Sequence, residues 1–516
     1  MASRAVPLTL PALAVASVLA LLVLGTALVL ALHATTFTLR PAEWSAFRFT
    51  LLQAGLSAAV STLLAIPTAR ALARRRFAFR TALVALMGAP FLLPVVVAVI
   101  GMLSVYGRSG VVNQLLSLLH LPAFSIFGLH GVVLTNVFFD LPLATRILLN
   151  GWLSIPAERF RLAQTLRLPP IAQFRQIEAP MLLTLLPGAF VLVFLLCLTS
   201  FVVALTLGGG PRATTLELAI YQALRFDFDL GRAALLALLQ LATCAVVVTL
   251  AGRFTLTAAL GSGLDRQADI PAPNGWRMAV DAGVLGCVAV FLALPLAVVV
   301  SDGLPALAHL PAPVWTAALR SLVMALVSAA LATTGGLVLA LAVARKAPQS
   351  GWFDLAAMLP MAASGLVLGT GLFVVLQPVT DPQLLALPIT VLVNAALSLP
   401  FLYRLLLAEA QSTHAAYDRL CTTLNLPTAV RLRRIILPRL ARPLGLGAGI
   451  SAALSMGDLG VIALFAGDKN PTLPLMVQRL SGAYRMDQAA AASLLLVVLS
   501  FALFFLCDLG GRHAAP

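Results

Sequence analysis

Residues able to carry chemistry are scarce in this chain, and they fall in two kinds of place. Asp140 and Asp458 are carboxylates set inside long apolar runs, the first beside Asn136 and Pro142, the second between Gly457 and Gly460. An ionisable group at that depth is costly and marks a functional position by default. A structural role is the competing reading: a carboxyl hydrogen-bonded to a neighbouring helix, with the glycines allowing close approach. The apolar runs are read as holding no other anion. The second kind of place is a pair of arginine- and proline-rich loops, from Pro156 to Pro180 and from Asp418 to Pro438.

Other chemistry finds little support. Neither lysine, Lys346 nor Lys469, follows a GxxxxG or precedes Ser or Thr, so no Walker A phosphate loop is present. Gly208, Gly209, Gly210 and Pro211 read as a turn. The six histidines show no ligand spacing, and no Ser/His/Asp or Cys/His arrangement can be assembled. The expectation is that the chain holds neither a catalytic site nor a cofactor or metal of its own. Cys197, Cys244, Cys287, Cys421 and Cys507 show no paired spacing and read as small apolar core residues, not as disulfides or zinc ligands.

The elements that must position these residues follow from composition. Of 516 residues, 60% are hydrophobic and 10% charged, against roughly 25% charged in soluble domains. That leaves too little polar side chain to cover a water-facing surface. The apolar runs are continuous, which excludes the alternating strands of an outer-membrane barrel. Twelve runs are long enough to cross a bilayer: near 8–32, 49–71, 82–105, 129–149, 181–206 and 232–251, then 279–301, 314–344, 353–376, 386–407, 441–465 and 489–508. The first is too long for the core of a signal peptide. The fold class is therefore all-α, polytopic and membrane-embedded.

Orientation follows from arginine. Arg70, Arg74, Arg75, Arg76 and Arg80 separate spans two and three; Arg159, Arg161, Arg167 and Arg175 separate four and five. Arg345 and Lys346 follow span eight, and Arg419, Arg431, Arg433, Arg434 and Arg439 precede span eleven. The opposite loops carry few basic residues, so the positive-inside rule places these loops and both termini in the cytoplasm. The same rule accounts for the net charge of +15 without nucleic-acid binding.

Residues 132–180 align with 390–438 at a constant offset of 258. The informative matches are Asn136/Asn394, Pro142/Pro400, Arg146/Arg404, Arg161/Arg419, Thr165/Thr423, Pro169/Pro427, Arg175/Arg433 and Pro180/Pro438. Six spans intervene, so the copies face the same side, as in a parallel repeat about an axis normal to the membrane. The organisation read from this is a first six-helix half at 1–251, a cytoplasmic linker at 252–278 and a second six-helix half at 279–516.

In the first loop Phe160, Ala163 and Leu166 recur at helical spacing, Ser154 is placed to cap the start, and Pro169 and Pro170 must end the helix. A second short helix is expected to run to Pro180. An exposed helix-turn-helix held outside the membrane twice reads as a docking knob for a partner's groove. The loops resemble the EAA loop of ABC importer permeases, whose pattern ends in I-x-L-P; Ile435 to Pro438 matches that end well, Ile177 to Pro180 less well. The motif glycine is replaced by Arg167 and Asn425. Asn tolerates left-handed backbone and Arg does so poorly, so the turn at Arg167 is expected to shift. Further stretches resemble the thiamine permeases of that superfamily: Leu103–Arg108, Leu207–Leu224, Leu454–Phe465, Thr472–Pro474 and Gly482–Asp487.

What the resemblance implies is an ABC importer permease fold in two parallel pseudo-repeats, in the bacterial inner membrane. Its docking residues are Arg161, Leu162, Ala163, Gln164, Thr165, Leu166, Arg167 and Leu168, with Arg419, Leu420, Cys421, Thr422, Thr423, Leu424, Asn425 and Leu426. The implied partners are two copies of a cytoplasmic ATPase subunit, which holds the ATP and Mg, and a periplasmic binding protein. The implied cargo is thiamine or a thiamine phosphate. Asn136, Asp140, Asn394 and Asp458 are the candidate pathway residues. The alternative cargoes are ferric iron, a polyamine or another small cation. The alternatives of another class are an ion-coupled secondary transporter, which would show more coupling-ion residues at midplane, and a membrane scaffold, which would not need the duplicated loop.

Overall fold

A computed structural model describes residues 9–34, 38–210, 213–251, 275–345, 349–465, 467 and 470–514. The described residues are helical and connecting segments, with eleven helices long and apolar enough to cross a membrane, or twelve if one bent pair counts as a span. Most of the expected linker, together with Lys346, Lys469 and Pro211, lies outside the described residues.

The first span is α1 (Thr9–Ala20) joined through a π turn at Leu21–Gly25 to α2 (Thr26–His33). Span two is α3 (Pro41–Arg74), started by Pro41 in the first turn and by the Glu43 carboxylate accepting the Arg40 backbone N–H at 2.6 Å. Two short helices, α4 (Arg80–Leu86) and α5 (Ala89–Leu92), precede α6 (Val95–Tyr106) and the surface helix α7 (Val111–Leu118). The run expected at 82–105 is therefore not one helix: Pro94 removes a backbone donor and breaks it.

Span four is α8 (Leu129–Ser154), and the docking knob is α9 (Ala157–Thr165). After Pro169 the chain enters α10 (Pro170–Gln173), a π turn at Phe174–Glu178 and α11 (Ala179–Leu198) without a stop. The expected separate helix ending at Pro180 is thus the first turns of span five. The half closes with α12 (Phe201–Leu207), α13 (Leu216–Arg225) and span six, α14 (Leu230–Ala251).

The second half repeats this order: α15 (Trp276–Ala306), α16 (Ala312–Ala344), α17 (Ser350–Met358) bent by 94° onto α18 (Gly365–Leu376), and α19 (Ala386–Thr423). Then follow α20 (Thr428–Arg431), a π turn at Leu432–Ile436, α21 (Leu437–Met456), α22 (Gly460–Phe465), α23 (Leu473–Gly482) and α24 (Met486–His513). The π turns themselves sit 258 residues apart. One difference is informative. Pro156 separates α8 from α9, whereas His414 stands at the matching position and α19 runs unbroken through the second knob.

Small residues set the packing. Ala54, Ser57, Ala58, Ser61, Ala65 and Ala69 on α3 are fully buried, and α3 packs along α8 as α16 packs along α19. With lipid as apolar as leucine, close backbone approach supplies the attraction. Leu10, Leu13, Leu21, Leu28 and Leu32 face outward, where lipid covers them. The first span of each half reaches the other half as well as its own: α1 packs on α16 and α17 and α2 on α14 and α18, while α15 packs on α24 and on α6 and α3. Two glycines make room for these crossings. A Cβ at Gly101 on α6 would lie 2.8 Å from the Pro295 carbonyl oxygen of α15, and one at Gly371 on α18 would lie 2.7 Å from Thr26 Cβ of α2.

Candidate functional site

Both knobs end in the same backbone turn. In the first, the Arg167 N–H donates to Gln164 O at 2.9 Å and the Leu168 N–H to Ala163 O at 2.9 Å. In the second, the Asn425 N–H donates to Thr422 O at 3.1 Å and the Leu426 N–H to Cys421 O at 3.0 Å. This is the Schellman pattern, which requires a left-handed residue after the last helical turn. Arg167 and Asn425 supply it, with φ of 51° and 49°. The expected shift of the turn at Arg167 does not occur. The two carbonyls satisfied at each helix end offset the ~1–2 kcal/mol that a left-handed side chain costs.

The docking residues take matching positions in the two copies. Ala163 and Cys421 are buried, Leu168 and Leu426 half-buried, and Arg161, Leu162, Gln164, Thr165, Leu166, Arg167 and their counterparts Arg419, Leu420, Thr422, Thr423, Leu424 and Asn425 exposed. Each knob thus offers two leucines to water, Leu162 and Leu166 or Leu420 and Leu424. Thr165 Oγ1 donates to Arg161 O at 3.0 Å and Thr423 Oγ1 to Arg419 O at 2.9 Å. Ser154 does not cap α9: its hydroxyl donates back to Gly151 O, and Pro156 holds the cap position.

The knobs are anchored differently. Glu178, fully buried in the first π turn, accepts Arg70 Nε at 2.6 Å, Arg70 Nη2 at 2.8 Å and Trp152 Nε1 at 3.0 Å. In the second half Ile436 and Ala410 occupy the matching places of Glu178 and Trp152 and pack in an apolar cluster with Leu341 and Leu440. There Asp418 binds Arg431 at 2.7 Å.

Deeper in each half, an asparagine faces a break in the helix that follows the knob. Asn136 Nδ2 donates to Gln53 Oε1 at 2.9 Å, and its Oδ1 accepts the Ser200 hydroxyl at 2.9 Å. Ser200 sits in the break between α11 and α12. Asp140, one turn on, accepts the Cys197 thiol at 3.0 Å. In the second half Asn394 Nδ2 donates to Ser455 Oγ at 3.3 Å and lies beside the Asp458 carboxyl. Asp458 is not within a continuous helix. It stands in the break between α21 and α22, at the position that Ser200 holds in the first half, facing the backbone N–H groups of Gly460, Val461 and Ile462.

The second break lies against the first half at Pro94, between α5 and α6, and at Phe201, the first residue of α12. A Cβ at Gly457 would lie 3.0 Å from Pro94 Cα, and one at Gly460 would lie 3.9 Å from the Phe201 ring. The structure thus gathers the four candidate pathway residues into two repeat-related polar networks that flank the contact between halves.

Some buried polar residues escaped the sequence reading. Glu217 on α13 is a buried carboxylate, beside Gln240 and, across the halves, Ser364. Its neighbours Leu216 and Leu218 gave a signal of amphipathic burial. Glu43, Glu178, Asp281 and Asp508 are also buried, each paired with arginine. Gln53 was hidden in span two. Cys197 is buried in the core as expected, where its thiol also donates to Asp140, whereas Cys287 is exposed and is not a core residue. Among the described residues no cluster of His, Cys, Asp and Glu is placed to hold a metal ion.

No family model matches the chain. It is 40% identical over 477 residues to the thiamine transport system permease protein ThiP of Brucella abortus, covering 90% of this chain and 87% of that one. It is 38% identical over 482 residues to the protein of the same name from Salmonella typhimurium, covering 91% and 90%. The protein of that name from Escherichia coli is 38% identical over 489 residues, covering 91% and 90%. The alignments run through both knobs and both helix breaks, and on them the chain belongs to the family of thiamine transport system permease proteins.

Proposed function

We propose that this chain is the membrane subunit of an ATP-driven importer that moves thiamine or a thiamine phosphate into the cytoplasm across the bacterial inner membrane. The observation that supports it most is the pair of knobs, 258 residues apart, with one backbone turn and one pattern of exposed leucines. Two identical sites call for two copies of one partner, and an ATPase subunit on each knob supplies the drive. Both termini lie on that cytoplasmic side, with the arginine-rich loops. A periplasmic binding protein delivers the cargo to the opposite face.

The mechanism follows from the connections. Each knob is continuous with the helix that carries a break: α9 leads through the π turn at Phe174–Glu178 into α11 and Ser200, and the end of α19 leads through Leu432–Ile436 into α21 and Asp458. Drawing the two knobs together therefore moves the two breaks, and these flank the passage between halves. Asn136 and Asn394 hold the breaks through side-chain contacts alone, which can be remade without unfolding a helix. Asp140 stays within its own half, bonded by Cys197.

The test is reconstitution in liposomes with the ATPase and binding-protein subunits. ATP-dependent accumulation of labelled thiamine, undiminished by excess ferric iron or spermidine, is the expected result. Accumulation of either competitor in place of thiamine would overturn the cargo, and accumulation without ATP under an ion gradient would overturn the transporter class.

A further inference from the structure

We propose that the contact between halves holds a transient binding site for a planar aromatic cation, built from the Asp458 carboxylate of the second half and the Phe201–Tyr221 ring pair of the first. The proposal rests on the reading of the chain as a thiamine permease and names where in the passage that cargo pauses.

Three observations converge. Asp458 is a carboxylate without an arginine partner, and its buried Oδ2 makes no hydrogen bond. Glu43, Glu178, Asp281 and Asp508 are paired with arginine, whereas Asp140 is held by Cys197 and Glu217 lies beside Gln240 and Ser364. A negative charge on Asp458 is met by the backbone N–H groups of Gly460, Val461 and Ile462 and by Asn394 but by no cation, and burying it without one is expensive. Next, the carboxylate and the ring stand on either side of Gly460: a Cβ there would lie 3.8 Å from Asp458 Oδ1 and 3.9 Å from Phe201 Cδ1. The glycine keeps a side chain out of the gap between anion and ring. Third, Phe201 is backed by Tyr221, with centroids 5.3 Å apart, and Tyr221 by Phe226 at 5.8 Å. Rings within about 6 Å of a cation attract it through their negative faces, and a flat cationic heterocycle can stack as well.

Half-site composition also suits a transporter. Each half contributes one kind of attraction, so the site exists only while the breaks face each other and is dismantled when the halves move apart.

The experiment uses the purified complex of this chain with its ATPase subunits, without binding protein, and reads binding of tritiated thiamine; uptake by proteoliposomes of the full transporter is read in parallel. Asp458→Asn and Phe201→Leu are each expected to weaken binding at least tenfold, and Phe201→Tyr to restore it. Gly460→Ala guards against misfolding, because its methyl group fits at ordinary contact distances yet intrudes into the gap between the carboxylate and the ring. It is expected to co-purify with the ATPase like the wild type and to bind thiamine at least tenfold more weakly. Wild-type binding by Gly460→Ala and Asp458→Asn, with normal uptake, would overturn the site and leave the thiamine reading standing. A wild-type transporter that takes up no thiamine would overturn that reading and the site with it.

Discussion

Replacing Leu166 and Leu424 together with aspartate isolates the docking surface from the fold that carries it. The side chains are 61% and 59% exposed, and they project from the last turn of each knob, away from the buried Phe160, Ala163 and Cys421. Fully burying a leucine is worth about 1.5–3 kcal/mol, so covering the exposed three-fifths of each yields about 1–2 kcal/mol, and about 2–4 kcal/mol for the pair. A carboxylate in the same groove adds a desolvation cost. The double variant should therefore bind its ATPase partner at least ~30- to 700-fold more weakly, taking 1.4 kcal/mol per decade. Either single change should cost about the square root of that factor. The assay is recovery of the ATPase subunit on the tagged membrane subunit in detergent, with a melting curve of the membrane subunit alone as control. Full recovery together with full transport would mean that the knobs are not the docking sites. Loss of recovery with a lowered melting temperature would mean that these leucines serve the fold.

Further outcomes follow from other parts of the structure. Cysteines placed at Ser109 and Gly209 should react with an impermeant thiol reagent on intact cells, in a Cys287→Ala background, and cysteines at Gln164 and Thr422 should not; labelling of Gln164 from outside would invert the orientation. Arg167→Gly should raise the melting temperature of the membrane subunit, since the left-handed turn costs Arg about 1 kcal/mol more than Gly, and Arg167→Val should lower it; the reverse order would show that the turn is not left-handed in the membrane. Glu178→Ala should destabilise the first half by about 3 kcal/mol by stranding Arg70, measured by denaturation in detergent. The triple change Arg70→Leu, Glu178→Ile, Trp152→Phe, which copies the apolar anchoring of the second half, should recover most of that loss; no recovery would mean that the ion pair does more than fasten the knob.

The sequence made the repeat legible because its signals are chemical and sparse: prolines and arginines at an offset of 258 in a background of leucine and alanine. Span positions were legible for the same reason that breaks inside them were not. A hydropathy run continues past Thr199 and Ser200, or past Gly457 and Asp458, long enough to read as one span, whereas a helix must stop wherever its backbone bonds are released. The left-handed Arg167 illustrates a second limit. Residue preference argued for a shifted turn, but the hydrogen bonds from Arg167 and Leu168 belong to the backbone and are indifferent to the side chain. The candidate pathway was half legible. Asp458 and Asn394 stood out as polar residues in apolar surroundings, yet Phe201 and Tyr221 looked like ordinary apolar side chains, and Glu217 was hidden in a short helix between spans. Nothing local in a sequence tells a ring that faces lipid from one that faces the other half of the molecule.

The exchange of first spans has a consequence for biosynthesis. Helix α1 leaves the ribosome well before the surface it packs on, which belongs to α16 and α17. Roughly 300 residues must be added before that surface exists, which at ~5–20 residues per second takes about 15–60 s. Throughout that interval α1 lacks the neighbours that cover it in the finished fold, and its span is held in the first half through α2, which packs on α14. The place of α1 must therefore stay vacant, or be filled by lipid that can leave, until α16 and α17 have inserted. Closure of the two halves thus waits on a segment made long before its partners, and a defect in α1 would surface only once α16 and α17 are in place.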